Sequence, residues 1–153
     1  MINLDAKLKV LSKLASYFNK EELTWAVGAS VLLYFKGYVD NFHDLDIMVE
    51  DKDSLKMEVI LNNLGVLQPS EKGNFKTKHF RKYIVDDVEI DMIGGFVIVS
   101  DNKEYDCDLD ESQIESYITI NEQKIPLHSV SLWKEYYRLM GRTEKVMIIE
   151  RGC

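Results

Sequence analysis

Asp44 and Asp46, separated by one leucine within His43-Asp-Leu-Asp-Ile-Met-Val49, are the residues of this chain best suited to chemistry. On an extended strand, residues two apart point to the same face, so both carboxylates project together while Leu45, Ile47 and Val49 project to the other side. Like charges held within a few ångströms repel, and each must take up a proton or recruit a cation. An all-oxygen donor set on a rigid strand suits a hard divalent ion such as magnesium, which takes a few carboxylates and completes its octahedron with water and substrate phosphates. Fourteen residues before Asp44 stands Ser30, which closes the run Trp25-Ala-Val-Gly28-Ala29-Ser30. A glycine there lets backbone approach a phosphate without a side-chain clash, and the helix start that follows offers free N–H groups and a positive dipole end. The plain alternative is a strand-to-helix junction with a cap. Turn and acids together read as a metal-phosphate site.

These residues need elements to hold them. Leu4, Leu8, Leu11, Leu14 and Phe18 recur at helical spacing and predict an amphipathic helix over 5–19. A short buried strand over 25–27 precedes Gly28, and a second helix over 29–35 is closed by Gly37. The acids sit on a strand over 44–50. Asp53 opens a third helix that Gly65 stops. Strands over 80–85 and 88–93 flank Asp86-Asp87, and the second of them carries Glu89 and Asp91 on one face. Gly94-Gly95 interrupts this run before 96–100 resumes it. The acidic stretch 101–115 has no periodicity and reads as loop. A hairpin over 117–120 and 124–127 turns around Asn121-Glu-Gln, Ser129 or Ser131 caps a helix through Met140, and a last short helix covers 145–150.

With 153 residues and 46% hydrophobic content, the chain has room for one domain, 1–153, and an ample core. Its net charge of −7 argues against a broad basic surface for nucleic acid while leaving room for a small nucleotide site. Cys107 and Cys153 fit no zinc or disulfide framework. No segment reaches ~18 uninterrupted apolar residues, and the amino terminus lacks the apolar core of a signal peptide, so a soluble cytoplasmic protein with no membrane partner is expected.

Val27-Gly28-Ala29-Ser30, Asp44-Leu45-Asp46 and Ile90-Asp91-Met92 together resemble the nucleotidyltransferase superfamily with the DNA polymerase β-like catalytic fold. The likeness is greatest to small bacterial antibiotic nucleotidyltransferases and to those of abortive-infection and toxin–antitoxin systems. It spans roughly 23–93, and a helical tail over about 129–150 resembles the end of many such proteins. The resemblance implies an α+β fold with a mixed central sheet flanked by helices. It also implies catalytic and metal-binding roles for Asp44, Asp46 and Asp91, which would hold two magnesium ions, or manganese, about 3.5–4 Å apart. Gly28, Ala29 and Ser30 would face the phosphates. The expected reaction is in-line attack of a hydroxyl on the α-phosphorus of a nucleoside triphosphate.

Other candidates are the cations. Lys76, Lys78, His79, Arg81 and Lys82 form a basic stretch in which Lys78 or Lys82 would meet triphosphate oxygens, against the plainer reading of a solvated hairpin face. Lys134, Arg138 and Arg142 offer a second set, which also suits the carboxyl-terminal dipole of their helix. His43 reads as a turn residue, and Trp25 and Trp133 as core. Glu89 is the alternative to Asp91 as third acid. Many toxin-type members place arginine and threonine just before the Asp-x-Asp, where this chain has Asp40-Asn-Phe-His43. Little chain remains to build an acceptor site, so a second copy completing that pocket is one expectation. The rival to an enzyme is a binding or antitoxin-like protein that keeps the scaffold with little or no catalysis.

Overall fold

The computed structural model describes residues 3–69 and 76–152. Helix α1 (Leu4–Lys20) starts where the Asn3 side chain accepts a hydrogen bond from the Ala6 amide at 2.8 Å. The apolar stripe legible in the sequence is its inner face, and Leu11, Leu14 and Phe18 are fully buried. Strand β1 (Trp25–Val27) and helix α2 (Ala29–Phe35) follow, then β2 (Leu45–Val49), α3 (Ser54–Leu64) and β3 (Val66–Gln68). After the second described segment begins come β4 (His79–Val85), β5 (Val88–Gly94), β6 (Val97–Ser100) and β7 (Lys103–Asp106). The chain ends with β8 (Ser116–Ile120), β9 (Gln123–Leu127), α4 (Val130–Leu139) and α5 (Thr143–Arg151). None of the helices among the described residues is long and apolar enough to cross a membrane.

Seven of these strands form one mixed sheet in the order β3-β4-β5-β2-β1-β9-β8. Its centre is buried on both faces: Trp25, Ala26 and Val27 of β1 and Ile47, Met48 and Val49 of β2 all lie inside the core. Strand β2 runs antiparallel to β1 and parallel to β5, while β9 runs parallel to β1. Helix α1 lies against β5, β8 and β9, with Phe18 edge-on to Trp25 at 5.1 Å. Helices α2 and α4 contact each other beside β2 and β6. The α+β architecture, with a mixed sheet flanked by helices, is as expected.

Two segments differ from the sequence reading. The stretch 101–115 contains β7, paired antiparallel with β6, and a short 3₁₀ turn at Glu111–Gln113 capped by Asp110. Lys103-Glu-Tyr-Asp106 is exposed throughout, so no alternating apolar pattern marks it, and backbone pairing holds it instead. Strand β3 was also not anticipated. It is a three-residue edge strand whose Val66 and Leu67 face solvent, so burial imposes no period on it. Asp53 precedes α3 as expected, yet its carboxylate accepts from the Thr24 amide at 2.9 Å rather than capping the helix.

Three hairpins among the described residues turn on two residues in the left-handed region: Asp86-Asp87, Asp101-Asn102 and Asn121-Glu122. This geometry matches the twist of the flanking strands, and aspartate, asparagine and glycine adopt it most readily. Glu122, at φ 68°, is the residue least suited to it. Glu122→Gly is therefore expected to stabilise the fold by about 1 kcal/mol, the strain of a left-handed non-glycine residue. Urea unfolding of both proteins checks this, and an unchanged or lower midpoint would refute it.

Candidate active site

The parallel pairing of β2 with β5 sets Asp46 directly opposite Asp91. Antiparallel pairing of β4 with β5 then sets Lys82 opposite Asp91, and the Lys82 ammonium lies 3.3 Å from the Asp91 carboxylate. Asp44 stands one residue before β2, beside Glu89. Two acid pairs therefore share one face of the sheet, as strand alternation requires. His43 lies 2.9 Å from Glu89 and 3.4 Å from Asp44. Ligand atoms of His43, Asp44 and Glu89 all fall within 4.8 Å of one another.

Burial, and then crowding by neighbouring carboxylates, raises the pKa values of Asp44 and Asp46. Asp44 is pushed up from 3.8 to about 6 by burial, by the charge of Asp91 and by a hydrogen bond with Glu89, with His43 pulling the other way. Asp46 is held well above its ordinary value by burial and then by the charges of Asp91 and Asp44, which Lys82 and Lys145 oppose. Asp44 Oδ1 is buried and makes no hydrogen bond, with His43 Nε2 3.4 Å from it. A shared proton or a cation would relieve this arrangement, and the all-oxygen donor set fits magnesium or manganese.

A cleft of about 330 Å³ opens over Asp44, Asp46 and Asp91. Ala29 and Ser30 line one flank, joined there by Tyr137 of α4, Arg142 just before α5 and Lys145 of α5. Ser30 accepts a hydrogen bond from the Lys145 ammonium at 3.1 Å and also bonds the Tyr137 hydroxyl. Phe80, Ile93, Phe96, Trp133 and Met140 supply an apolar wall, with Phe96 stacked on Trp133 at 5.8 Å. The Trp133 indole N–H is buried and unpartnered.

The turn that feeds α2 is shaped by this wall. The Gly28 amide donates to the Asp46 carbonyl at 3.1 Å, so the turn is tied to the acid strand. Gly28 itself is extended, with φ −132°, and any L-residue could adopt that conformation. What excludes a side chain is Trp133, whose Cζ2 would lie 2.6 Å from an added Cβ. The next residue, Ala29, holds the left-handed conformation at φ 51°, which is uncommon for alanine and marks strain at the turn.

Of the residues singled out from the sequence, Ala29, Ser30, Asp44, Asp46 and Asp91 meet in the cleft, and Lys82 borders it through Asp91. Gly28 lies beneath it against Trp133. Lys78 is elsewhere, 3.1 Å from Asp51, in a small groove with Glu104, Asp106 and Asp108. In the second cationic set only Arg142, itself paired with Glu144 at 2.6 Å, lines the cleft, while Lys134 pairs with Glu150 and Arg138 with Glu135. Asp91 rather than Glu89 lines it. Trp133 is both core and cleft wall. Tyr137 and Lys145 were missed because their proximity to Ser30 is a matter of helix packing, Lys145 being 115 residues away in sequence.

No family model matches the sequence, and no curated protein matches it. Solved structures do match in shape. A candidate nucleotidyltransferase of Thermotoga maritima superposes with a TM-score of 0.75, covering 98% of this chain and 94% of that one at 22% identity. The fold is that of the nucleotidyltransferases. ANT(2'')-Ia in complex with adenylyl-2''-tobramycin shares this nucleotidyltransferase fold at a TM-score of 0.60 and 11% identity, over 92% of this chain and 86% of its own. The lincosamide antibiotic adenylyltransferase LnuA, with lincomycin bound, has a TM-score of 0.59 and 13% identity over 84% of both chains.

Two outcomes are expected of the site. Gly28→Ala forces the Trp133 indole or the turn to shift and should lower stability by about 1–3 kcal/mol in urea unfolding. Asp44, with its pKa raised in the folded state, adds most stability below about pH 4, and this contribution is lost as pH rises through 6. Metal-free Asp44→Asn should therefore gain on wild type as pH rises from about 4 to 7. A difference between the two proteins that stays constant over this range would contradict it.

Proposed function

We propose that this chain is a magnesium-dependent nucleotidyltransferase that moves a nucleoside monophosphate from a nucleoside triphosphate to a hydroxyl of a small molecule or protein. The observation that carries this reading is the register of β2 on β5, which brings Asp46 against Asp91 beside Asp44 under a cleft flanked by Ser30. Three carboxylates beside Ala29 and Ser30 form a donor set for cations next to a place for phosphates. The structural likeness to ANT(2'')-Ia and LnuA supports transfer to a small molecule.

Asp44, Asp46 and Asp91 would hold the metal. When bound, magnesium supplies charge neutralisation at the phosphates and lowers the pKa of the attacking hydroxyl. The chain's own residues do the rest. Ser30 and the Ala29–Ser30 backbone orient the phosphates. Asp91 receives the proton of the attacking hydroxyl on its carboxylate, and Lys82, 3.3 Å away, steadies its charge. Phe80, Phe96 and Trp133 exclude water from the cleft. Manganese is a second ion for the same oxygen donors.

Calorimetric titration of ATP, GTP, CTP and UTP with magnesium tests the donor side. Wild type is expected to bind at least one of them, and Asp46→Asn to weaken binding about tenfold or more, the loss of a buried charged ligand. Transfer of α-phosphate label to aminoglycosides, lincosamides or lysate proteins tests the acceptor side. Asp91→Asn should reduce it about a hundredfold or more. No nucleotide binding by wild type would end the enzymatic reading, and binding without transfer would favour a scaffold used for recognition.

A further inference from the structure

We propose that Lys145 grips the triphosphate end of the donor nucleotide, so that selectivity for triphosphates over monophosphates is carried by the first turn of α5. This deepens the transferase reading above and rests on it. Lysines without an ion pair occur elsewhere, as at Lys36 on the Ser116 hydroxyl; the two that the sequence offered for the phosphates, Lys78 and Lys82, each have a carboxylate within ion-pair distance. Lys145 does not, among the described residues. It is half-buried in the cleft, and its hydrogen-bond partner is the neutral hydroxyl of Ser30, at 3.1 Å. An ammonium has three donors and no acceptor, so two N–H groups are left for a ligand.

A cation drawn partly out of water without an anion beside it is poised to receive one. Its surroundings say which. Asp46 is near enough for the Lys145 charge to oppose the rise in its pKa, yet is outside ion-pair distance, so the ammonium and the acids flank one space. The strand order β4-β5-β2-β1 fixes the direction across that space. Asp91 and Lys82 lie on the β5 and β4 side of Asp46, and the turn after β1, with Ser30 and Lys145 upon it, lies on the other.

In-line transfer needs the attacking hydroxyl and the departing pyrophosphate on opposite sides of the α-phosphorus. A hydroxyl whose proton goes to Asp91 comes from the β5 side. The new bond joins its oxygen to the α-phosphorus, the bond from that phosphorus to the pyrophosphate oxygen breaks, and the leaving anion departs on the β1 side. Ser30 and Lys145 meet it there. Lys78, held by Asp51 in another groove, is not available for this contact.

Binding of the nucleotide that wild type prefers, as its tri-, di- and monophosphate, and of inorganic tripolyphosphate, all with magnesium, tests this. Lys145→Ala should weaken triphosphate and tripolyphosphate binding by about tenfold to a hundredfold, the range for a charge-assisted hydrogen bond, with monophosphate binding changed by less than about twofold. Lys145→Arg should recover most of the loss. An equal loss for monophosphate and triphosphate would overturn the inference, because it would mean that Lys145 acts by holding Ser30 or the fold. So would triphosphate and tripolyphosphate binding left intact by Lys145→Ala. Wild type that binds no nucleotide fails the transferase reading itself and this inference with it, whereas unchanged discrimination in Lys145→Ala fails only the latter.

Discussion

Repulsion between carboxylates held side by side on adjacent strands is the constraint around which the rest of this molecule is arranged. Asp46 and Asp91 face each other because β2 and β5 run parallel in one register, and a two-residue slip would separate them. Strand pairing across a fully buried sheet centre holds that register. Leu45 and Ile47 on one strand and Ile90 and Met92 on the other are completely inside, so a one-residue slip would carry apolar side chains out of the core. Hydrophobic burial thus imposes a charge arrangement that the charges themselves oppose. Burial first, and then the charge of neighbouring carboxylates, raises the pKa values of Asp44 and Asp46.

The cations answer it in two ways. Lys82 sits next to Asp91 through the antiparallel pairing of β4 with β5 and neutralises part of the charge within the sheet. Lys145 arrives from the far end of the chain and stops at Ser30, short of the acids. The difference between a paired and an unpaired cation separates a residue that stabilises the resting site from one reserved for a ligand. Trp133 links the two halves. It packs on Phe96 and fills the space where a Gly28 side chain would be, so α4 presses against the turn and brings α5 over the cleft.

Much of this was legible in the residues. The amphipathic stripe of α1, the buried strands around Asp44 and Glu89, and the caps at Gly37 and Ser129 all follow from periodicity and turn chemistry. Segments held by backbone pairing without burial, such as β3 and the β6–β7 hairpin, left no apolar period to read. The basic stretch 76–82 shows the same limit at the site. Alternation along a strand tells which residues share a face, and it does not tell what lies across from them. Lys82 found Asp91 there, and Lys78 found Asp51.

By itself the sequence determined the acids, the small-residue turn and the elements that carry them, because strand and helix periods are local and are written in side-chain type. Only the tertiary structure decided that Asp91 and not Glu89 enters the cleft, that Gly28 is required by an indole, and that Tyr137, Arg142 and Lys145 join Ser30 on its flank of the cleft. Those facts depend on contacts between residues from 45 to 115 positions apart. Such contacts are set by how helices pack on a finished sheet, and no local pattern records them.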